Sequence, residues 1–300
     1  MDRFLAMQVF VAVGEEQSFA AAARRLGMSP PAVTRAVGAL EAKLGIRLLQ
    51  RTTRIVRLTE PGARYLNDCK RLLTEVEDAA LAASGAHGEL RGTLALTASV
   101  MFGRLFVAPL VLEFLEQHPK LDMRALLVDR VVDLIEEGVD VGVRIAHLSD
   151  ASFSAVRVGA VREVLCASPA FLKRHGTPRT PADLSEFPVI AFSGTRSGPT
   201  WNLQSGKQRV AVRPRSRLLV NSSEVAIDAA LNDKGITRVL SYMAASELKA
   251  GRLKAVLREF EPEPMPIHVI HHEGKRAPAR VRAFVDFCVA GLRGNPLLKA

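Results

Sequence analysis

Apolar positions between residues 18 and 44 follow two short helical repeats that are separated by a glycine. Their spacing of three and four residues predicts two helices, each with one buried face. Ser18 and Ser29 stand where a side-chain oxygen can accept from the open first turn of a helix. Gly27 falls at the end of the first helix, and prolines open the second, where a missing N–H costs nothing. The stretch therefore predicts a helix-turn-helix with the apolar residues Phe19, Ala22, Ala23, Leu26, Val33, Val37, Leu40 and Leu44 inside.

The other face of the second helix carries small residues and one cation. Arg35 lies beside the short Thr34, so the helix backbone can approach a DNA major groove, which is about 12 Å wide. An arginine there can pair with guanine O6 and N7. The predicted groove contacts are Ser29, Pro30, Pro31, Thr34 and Arg35. The alternative is an ordinary helical hairpin with a solvated basic face.

Two flanking segments complete a compact N-terminal domain in this interpretation. Residues 2–14 show a further amphipathic helix, which completes a three-helix core. Residues 45–58 are β-prone and carry four arginines, which predicts a short basic hairpin. Of these, Arg51 and Arg54 are the candidates for phosphate or minor-groove contact. The alternative for Arg51 is a structural role, in which it pairs with Glu41 or caps a helix carbonyl.

A seven-residue apolar repeat follows, over residues 62–84. Thr59 is the expected cap of this helix, and Ser84 and two glycines form a flexible break after it. A helix that follows a complete domain and precedes a break is expected to project, so that its apolar seam needs a partner such as a second copy of the chain. The seam consists of Leu66, Cys69, Leu73, Val76, Ala80 and Ala83.

From residue 91 the pattern alternates between strands and helices, which predicts α/β structure with parallel pairing and right-handed crossovers. Two lobes are expected, linked by crossing strands near residues 161 and 267. The predicted helices are 104–117, 130–137, 223–233 and 278–292. The predicted strands are 92–98, 121–128, 139–145, 162–168, 188–192, 209–214, 217–221, 236–240 and 265–272.

Composition sets the outer limits of these expectations. The 300 residues are 48% hydrophobic, which suits a globular protein with a large core. The net charge of +10 favours a polyanionic partner. Both the N-terminal segment and the part beyond residue 91 are basic, however, so charge alone does not locate a DNA site. There is no secretory signal and no membrane-length apolar run, and a cytoplasmic protein without a membrane partner is expected.

Residues 21–62, AAARRLGMSPPAVTRAVGALEAKLGIRLLQRTTRIVRLTEPG, resemble the winged helix-turn-helix of LysR-type transcriptional regulators. The segments EFLEQHPKLDMRALL, EEGVDVGVRIA, NSSEVAIDAAL and RVRAFVDF also resemble the family. The resemblance implies an α+β multidomain protein that binds duplex DNA, a small-molecule effector and its own copies, as a dimer or tetramer. It implies a winged helix-turn-helix at 1–59, a linker and dimerisation helix at 60–88, and an effector-binding domain at 89–300. The last resembles periplasmic binding proteins, with lobe I at 89–161 and 267–300 and lobe II at 162–266.

The resemblance also implies an effector pocket between the lobes, where strand ends and helix N-termini converge. Its candidate residues are Ser99, Val100, Val128, Arg144, Ser193 and Asn221. Each is alternatively a surface-loop residue or a helix cap. Arg144 is the favoured cation for a carboxylate effector. Residues 233–236 read Asp-Lys-Gly-Ile where the family often has Gly-Leu-Gly-Ile, which is a departure.

Motifs of catalysis and metal binding are absent from the whole sequence. There is no GxSxG, P-loop, GxGxxG or HExxH motif. The three cysteines have no metal-ligand spacing, and His271 and His272 point to opposite sides of a predicted strand. We therefore expect no catalytic residues, no metal and no cofactor. The chain is interpreted as a transcriptional regulator that acts on a pseudo-palindromic operator, with RNA polymerase as a further candidate partner. The alternatives are a two-lobed solute-binding protein and a small-molecule enzyme with an accessory helical domain.

Overall fold

The computed structural model describes residues 2–51, 56–83, 90–148, 153–193, 200–206, 208–272, 274 and 277–299. Contacts divide the chain into two compact units, Met1–Gly92 and Thr93–Ala300.

The first unit is a helical domain with a short antiparallel hairpin. Its elements are α1 (Arg3–Glu16), α2 (Phe19–Leu26), α3 (Pro30–Leu44), β1 (Leu49–Arg51), β2 (Val56–Leu58) and α4 (Glu60–Ala83). The predicted caps are confirmed, since the hydroxyls of Ser18 and Ser29 accept from the backbone N–H of Ala21 and Ala32. Gly27 ends α2 with a φ of +62°, a conformation that favours glycine. The apolar stripes of the three helices meet in one core around Val9, Phe10, Ala22, Val33, Val37, Leu40 and Leu48.

The hairpin is fastened to the helices by side chain to backbone hydrogen bonds. One carboxylate oxygen of Glu41, on α3, accepts from the N–H of Leu48 at 2.9 Å and of Leu49 at 3.0 Å. The hydroxyl of Thr59 donates to the carbonyl of Arg47 at 2.8 Å and accepts from the N–H of Gly62 at 3.0 Å. The first bonds fix the hairpin to α3, and the second confirm Thr59 as the cap of α4.

Helix α4 differs from the sequence expectation in where its apolar seam lies. Leu66 and Cys69 are buried in the core of the first unit, and Leu73 packs against that core. The expectation of a seam that needs a partner along its whole length is therefore wrong at its N-terminal end, because α1 and the hairpin already cover it. Leu72 and Val76 are 40% and 49% exposed, respectively. The side chains of Ala80 and Ala83 lie outside the described residues.

The second unit contains two five-stranded sheets. Its helices are α5 (Val100–Phe102), α6 (Ala108–Gln117), α7 (Pro169–His175), α8 (Ser223–Leu231), α9 (Ala245–Lys249) and α10 (Ala279–Arg293), and a π-helical turn (Gly103–Val107) joins α5 to α6. Its strands are β3 (Gly92–Ala98), β4 (Leu121–Leu127), β5 (Val141–Ile145), β6 (Ser154–Val161), β7 (Glu163–Ala167), β8 (Val189–Phe192), β9 (Trp201–Ser205), β10 (Gln208–Val212), β11 (Ser216–Val220), β12 (Ile236–Leu240), β13 (Lys254–Val256) and β14 (Met265–His271).

Each sheet forms the centre of one lobe. Lobe I has the strand order β4-β3-β5-β14-β6, and lobe II has β11-β8-β12-β7-β13. The chain passes from lobe I to lobe II between β6 and β7 and returns before β14. The β9–β10 hairpin forms a separate antiparallel pair, whose inner face packs on the core of lobe II through Trp201 and Leu203.

Parallel pairing is confirmed for part of each sheet. β3 pairs with β5 in parallel, and β8 pairs in parallel with both β11 and β12. β14 is antiparallel to β5 and β6, and β7 is antiparallel to β12 and β13, so the expectation of parallel pairing is wrong for these strands. They are antiparallel because they adjoin the two chain crossings, where a strand enters its sheet from the opposite lobe.

The helix expected at 130–137 is absent, and residues 134–138 form turns instead. The carboxylate of Asp133 accepts from the N–H of Ile135 and Glu136, as a helix cap does, so a helical turn can start only after Asp133, and Gly138 ends it with a φ of +59°. Val131 and Ile135 are 64% and 66% exposed, so this segment has no continuous buried stripe to stabilise a helix.

All three cysteines of the chain are buried. Burial raises the pKa of the Cys69 thiol to about 11 and those of Cys166 and Cys288 to about 12. We predict that the native protein does not react with a thiol reagent such as DTNB at pH 8, because the thiolate is the reactive form. The same protein in urea should react at three sites. Fast reaction of the native protein at any cysteine would contradict this burial.

No helix in the described part of the chain is long and apolar enough to span a membrane.

Candidate functional site

The exposed face of α3 presents the five residues that the sequence singled out there. Ser29, Pro30, Pro31, Thr34 and Arg35 are all exposed. The opposite face of the same helix is buried in the core of the first unit. The hydroxyl of Thr34 donates to the carbonyl of Pro30 at 3.0 Å, which keeps this side chain close to the helix. Arg35 is thus the one long side chain among these five, and the next long exposed side chain of α3 is Lys43 in its last turn.

The hairpin adds a basic edge to this unit. Arg57 on β2 and Arg47 before β1 are exposed. Arg51 ends β1, and its side chain lies outside the described residues, as does the whole of Arg54. The alternative in which Arg51 pairs with Glu41 lies outside the described residues, and the contacts given for Glu41 are those of its carboxylate with the backbone N–H groups of the hairpin.

The second candidate site is a cavity of about 680 Å³ in the second unit, between the two lobes. Three of the six predicted effector residues line it: Ser99, Val128 and Arg144. The lobe I wall is formed by the end of β3, the loop after β4 and the end of β5, as expected for strand ends that meet at one edge. The lobe II wall is formed by Glu163, Phe192, Leu240 and Met243.

The other three predicted effector residues lie outside the lining. Val100 is exposed, and its N–H donates to the carboxylate of Asp129 at 3.1 Å. The hydroxyl of Ser193 donates to the carbonyl of Val220 at 3.2 Å. Asn221 is exposed and directly precedes Ser222, the cap of α8. Local backbone bonds and capping thus account for the positions of these residues.

Asp129 supplies a carboxylate to the open helix start that follows β3. There the carboxylate accepts from the Val100 N–H. Burial raises the pKa of Asp129, and this hydrogen bond opposes the rise. The protein therefore supplies an anion of its own to this backbone donor.

Two arginines line the cavity on its lobe I wall. The guanidinium of Arg144 donates to the carbonyl of Val132, which also lines the cavity. Arg130, on the same wall, forms an exposed ion pair with Glu137 at 2.6 Å. Ser99 contributes a hydroxyl that is buried and has no hydrogen-bond partner of good geometry in the described part of the chain. The cavity thus combines a mostly apolar lining with a few polar groups, as ligand sites do.

A buried ion pair stands beside the cavity in lobe II. Arg238 on β12 is 2% exposed and lies 3.5 Å from the carboxylate of Glu163 on β7. Its guanidinium also lies over the ring of Trp201, at 5.2 Å from the centroid. Burial lowers the pKa of Arg238, and the charge of Glu163 opposes that effect. This pair was not predicted from the sequence, although an acid and an arginine inside two apolar strands were a usable signal.

An aromatic cluster joins the lobes on the other side of Ser99. The ring of Tyr242 in lobe II meets those of Phe102 and Phe106 in lobe I edge-on, at centroid distances of 5.4 and 5.5 Å. Burial raises the pKa of Tyr242, the neighbouring Ser99 hydroxyl opposes the rise, and the charge of Asp129 adds to it. Arg104 pairs with Glu224 across the same junction at 2.7 Å. The segment that begins at Ser99 therefore borders the cavity and also packs against the opposite lobe.

No group of three or more side chains suited to a metal ion occurs within the described residues.

Known proteins resemble the chain over both of its units. Residues 4–63 match the family described as bacterial regulatory helix-turn-helix protein, lysR family, and residues 87–293 match the LysR substrate binding domain. The chain is 33% identical over 298 residues to an HTH-type transcriptional repressor of Pseudomonas aeruginosa, covering 99% of this chain and 94% of that protein. It is 31% identical over 288 residues to the HTH-type transcriptional activator AaeR of Escherichia coli, covering 95% of this chain and 93% of that protein.

Solved structures give the same result. CrgA, a LysR-type transcriptional regulator from Neisseria meningitidis, has a TM-score of 0.62 and 30% sequence identity, over 97% of this chain and 99% of that chain. The full-length virulence activator AphB of Vibrio cholerae has a TM-score of 0.62 and 25% identity, over 97% of this chain and 100% of that chain.

Proposed function

Since the chain belongs to the LysR family and is a DNA-binding transcriptional regulator with a substrate-binding domain, we propose that α3 reads the operator and that the cavity between the lobes binds the effector. The relatives are transcriptional regulators, and we propose no reaction for this chain. We assign residues 1–59 to DNA binding, 60–88 to the linker helix and 89–300 to effector binding. A protein with this role acts on the chromosome, and hence in the cytoplasm.

The observation that supports α3 as the reading element is its division into two faces. One face is buried against α1 and α2, and the exposed residues in the first half of the other face are short except for Arg35, with Lys43 following in the last turn. We propose that Thr34 and Arg35 contact base edges in the major groove. Ser29, Pro30 and Pro31 let the start of α3 come close to the DNA. Arg51 and Arg54 are assigned to phosphate or minor-groove contact from the hairpin.

The effector in this proposal is a small molecule with an apolar body and a carboxylate. The apolar lining receives the body, Arg144 binds the carboxylate and Ser99 donates a hydrogen bond. Val128 belongs to the apolar wall. Val100 and Ser193 frame the site through their neighbours Ser99 and Phe192, which line the cavity directly, whereas neither neighbour of Asn221 is part of the lining. A carboxylate that reaches the Val100 N–H would replace Asp129 there.

The effector proposal predicts a charge-dependent ligand response. In thermal unfolding, some members of a panel of small aromatic and aliphatic carboxylates should raise the melting temperature of the full-length protein, and their primary amides should not. Arg144→Gln should abolish the response. Lys173→Gln, which removes an exposed cation of α7 outside the cavity, should leave it intact.

Two results would count against this account of the site. Equal responses to carboxylates and amides would remove the role of Arg144 as the cation. A response that survives Arg144→Gln would place the binding site elsewhere.

Self-association is proposed to use α4, with two copies of α3 presented to a pseudo-palindromic operator. Leu72 and Val76 are one helical turn apart and exposed, so they lie on one apolar face. Repression or activation at such a site acts on RNA polymerase, the further partner in this proposal.

Leu72→Asp together with Val76→Asp should convert the protein to monomers, because two buried carboxylates would face each other across the pairing helices. Sedimentation velocity measures the mass. The matched control is Arg64→Asp, at a position on α4 that is 72% exposed in its side chain. An unchanged mass of the double variant would mean that α4 does not hold the copies together.

A further inference from the structure

One stretch of the effector-binding half carries cations and no acids. Residues 187–223 contain four arginines between Arg209 and Arg217, with Arg196 and Lys207 before them, and no Asp or Glu at all. The chain has 31 acids in 300 residues, so about four would be expected in a segment of this length. The excess of positive charge found beyond residue 91 is concentrated here, and the DNA-reading domain does not account for it.

The structure places three of these arginines on one exposed surface of lobe II. Alternate residues of the β9–β10 hairpin point inward, where Trp201 and Leu203 join the core. The opposite face carries Asn202, paired with Ala211, and Gln204, paired with Arg209. Arg213 follows at the end of this face and Arg215 just after it, both exposed. We refer to Arg209, Arg213 and Arg215 as the lobe II arginine patch; the chain between its ends can span at most about 20 Å.

The patch arginines differ from five other arginines of the second unit, each of which is paired with an acid. These five are Arg104, Arg130, Arg174, Arg238 and Arg252. No ion pair between described residues includes a member of the patch. Arg213 donates through its Nε to the hydroxyl of Thr200 at 3.1 Å, which orients the guanidinium and leaves its terminal amino groups available for an outside acceptor.

We propose that the lobe II arginine patch binds the phosphate backbone of the duplex on either side of the operator. A guanidinium matches the geometry of phosphate oxygens. Asn and Gln side chains, which share this face, also donate to the DNA backbone. The described residues of this face are polar apart from Ala211, and the exposed apolar Leu218 and Leu219 lie beyond Arg215 on β11, so the patch itself offers a protein partner no apolar or aromatic centre. The proposal extends the DNA contact of this regulator from the helix-turn-helix to its effector-binding domain.

The test compares short and long duplexes with the full-length protein. The probe is the tightest duplex selected from a random-sequence pool, used as the minimal protected site and with about 20 added base pairs on each side. The variant is Arg209→Gln with Arg213→Gln and Arg215→Gln, and Arg217 is kept because it lies beside the exposed apolar Leu218 and Leu219. The control is Lys173→Gln with Lys249→Gln and Lys254→Gln, which removes three exposed cations elsewhere in lobe II.

On the long duplex, the arginine variant should show a salt dependence that is less steep by about 2.7 in log K against log[salt] for each chain whose patch contacts the duplex, since each phosphate contact contributes about 0.9. Raising the salt from about 50 to about 200 mM should therefore weaken the wild-type protein more than the variant by a factor of about 40 for each such chain. On the short duplex the two should agree, and the lysine control should follow the wild-type protein on both.

Equal slopes of log K against log[salt] for the arginine variant and the wild-type protein on the long duplex would overturn the proposal. The patch would then bind a protein partner or be a solvated face. Equal losses on both duplexes, or an equal loss in the lysine control, would overturn it too, because they would indicate a general effect of net charge. Failure to select any duplex would instead count against the reading role of α3, so the two proposals fail in different ways.

Discussion

Glu163→Ala should lower the free energy of unfolding by about 3–5 kcal/mol, because it leaves the buried guanidinium of Arg238 without its carboxylate. The two groups lie 3.5 Å apart, and their side chains are 9% and 2% exposed. Breaking a buried pair from one side is costly because a charge stays buried in a medium that solvates it poorly. Trp201 lies against Arg238 and is the only tryptophan in the chain, so its fluorescence in a urea titration reports on this region directly.

The control for this prediction removes both charges at once. Glu163→Leu with Arg238→Met replaces the pair by apolar side chains of similar size and should cost much less than the single change. Glu259→Ala removes an exposed carboxylate and should change the free energy of unfolding by less than about 0.5 kcal/mol. If the double variant lost as much as Glu163→Ala, packing and not the buried charge would account for the effect.

Arg35→Ala should reduce the discrimination between operator variants by about 1–3 kcal/mol, the free energy of a bidentate contact with guanine. The side chain is exposed on α3 and lies next to Thr34, which is held against its own helix. Loss of a base contact should act mainly on the sequences that carry the contacted base pair. The measurement is the affinity of the full-length variant for a series of duplexes with single base-pair changes.

Arg57→Gln provides the comparison, since this exposed residue lies on the hairpin and not on α3. A backbone contact there should weaken binding to all duplexes by a similar factor and should lower the salt dependence by about 1. If Arg35→Ala behaved in the same uniform way, Arg35 would bind a phosphate and would not read a base.

The helix-turn-helix could be predicted closely from sequence because its signals are local. Ser18, Gly27 and Ser29 mark helix ends through backbone hydrogen bonds and a left-handed φ, and these depend only on neighbouring residues. The apolar positions between the caps then determine which face of each helix is buried and which is exposed. For this reason the exposed positions of α3 follow from the residue pattern alone.

Features that depend on distant partners could not be predicted in the same way. The seam of α4 looked unpartnered because the burial of Leu66 and Cys69 arises from α1, some 55 residues earlier. The apolar residues at 130–137 suggested a helix. The carboxylate of Asp133 bonds the backbone in the middle of this segment, and Val131 and Ile135 are exposed, so the segment forms turns. Similarly, the contact of Asp129 with the Val100 N–H joins two loops that are 29 residues apart.

The effector cleft could be predicted in part, since some of its walls follow from strand order and others depend on distant contacts. A pocket at the ends of β3 and β5 could be predicted because strand order brings these ends to one edge, and Ser99, Val128 and Arg144, which the resemblance implied, line the cavity there. Ser193 and Asn221 were placed by resemblance alone, and their backbone bonds and capping neighbours keep them outside the lining. The lobe II wall, with Glu163 and Met243, depends on how the two lobes meet, and the sequence holds no local signal for that.

The central claim is that α3 reads base edges in duplex DNA, and competition binding tests it most directly. The full-length protein would be bound to the duplex selected from a random pool, with random-sequence duplex as competitor at about 150 mM salt. We expect a preference for the selected duplex of at least about 1,000-fold, and a marked loss of that preference in Arg35→Ala. Selection that enriches no sequence, or equal affinity for selected and random duplexes, would contradict the claim.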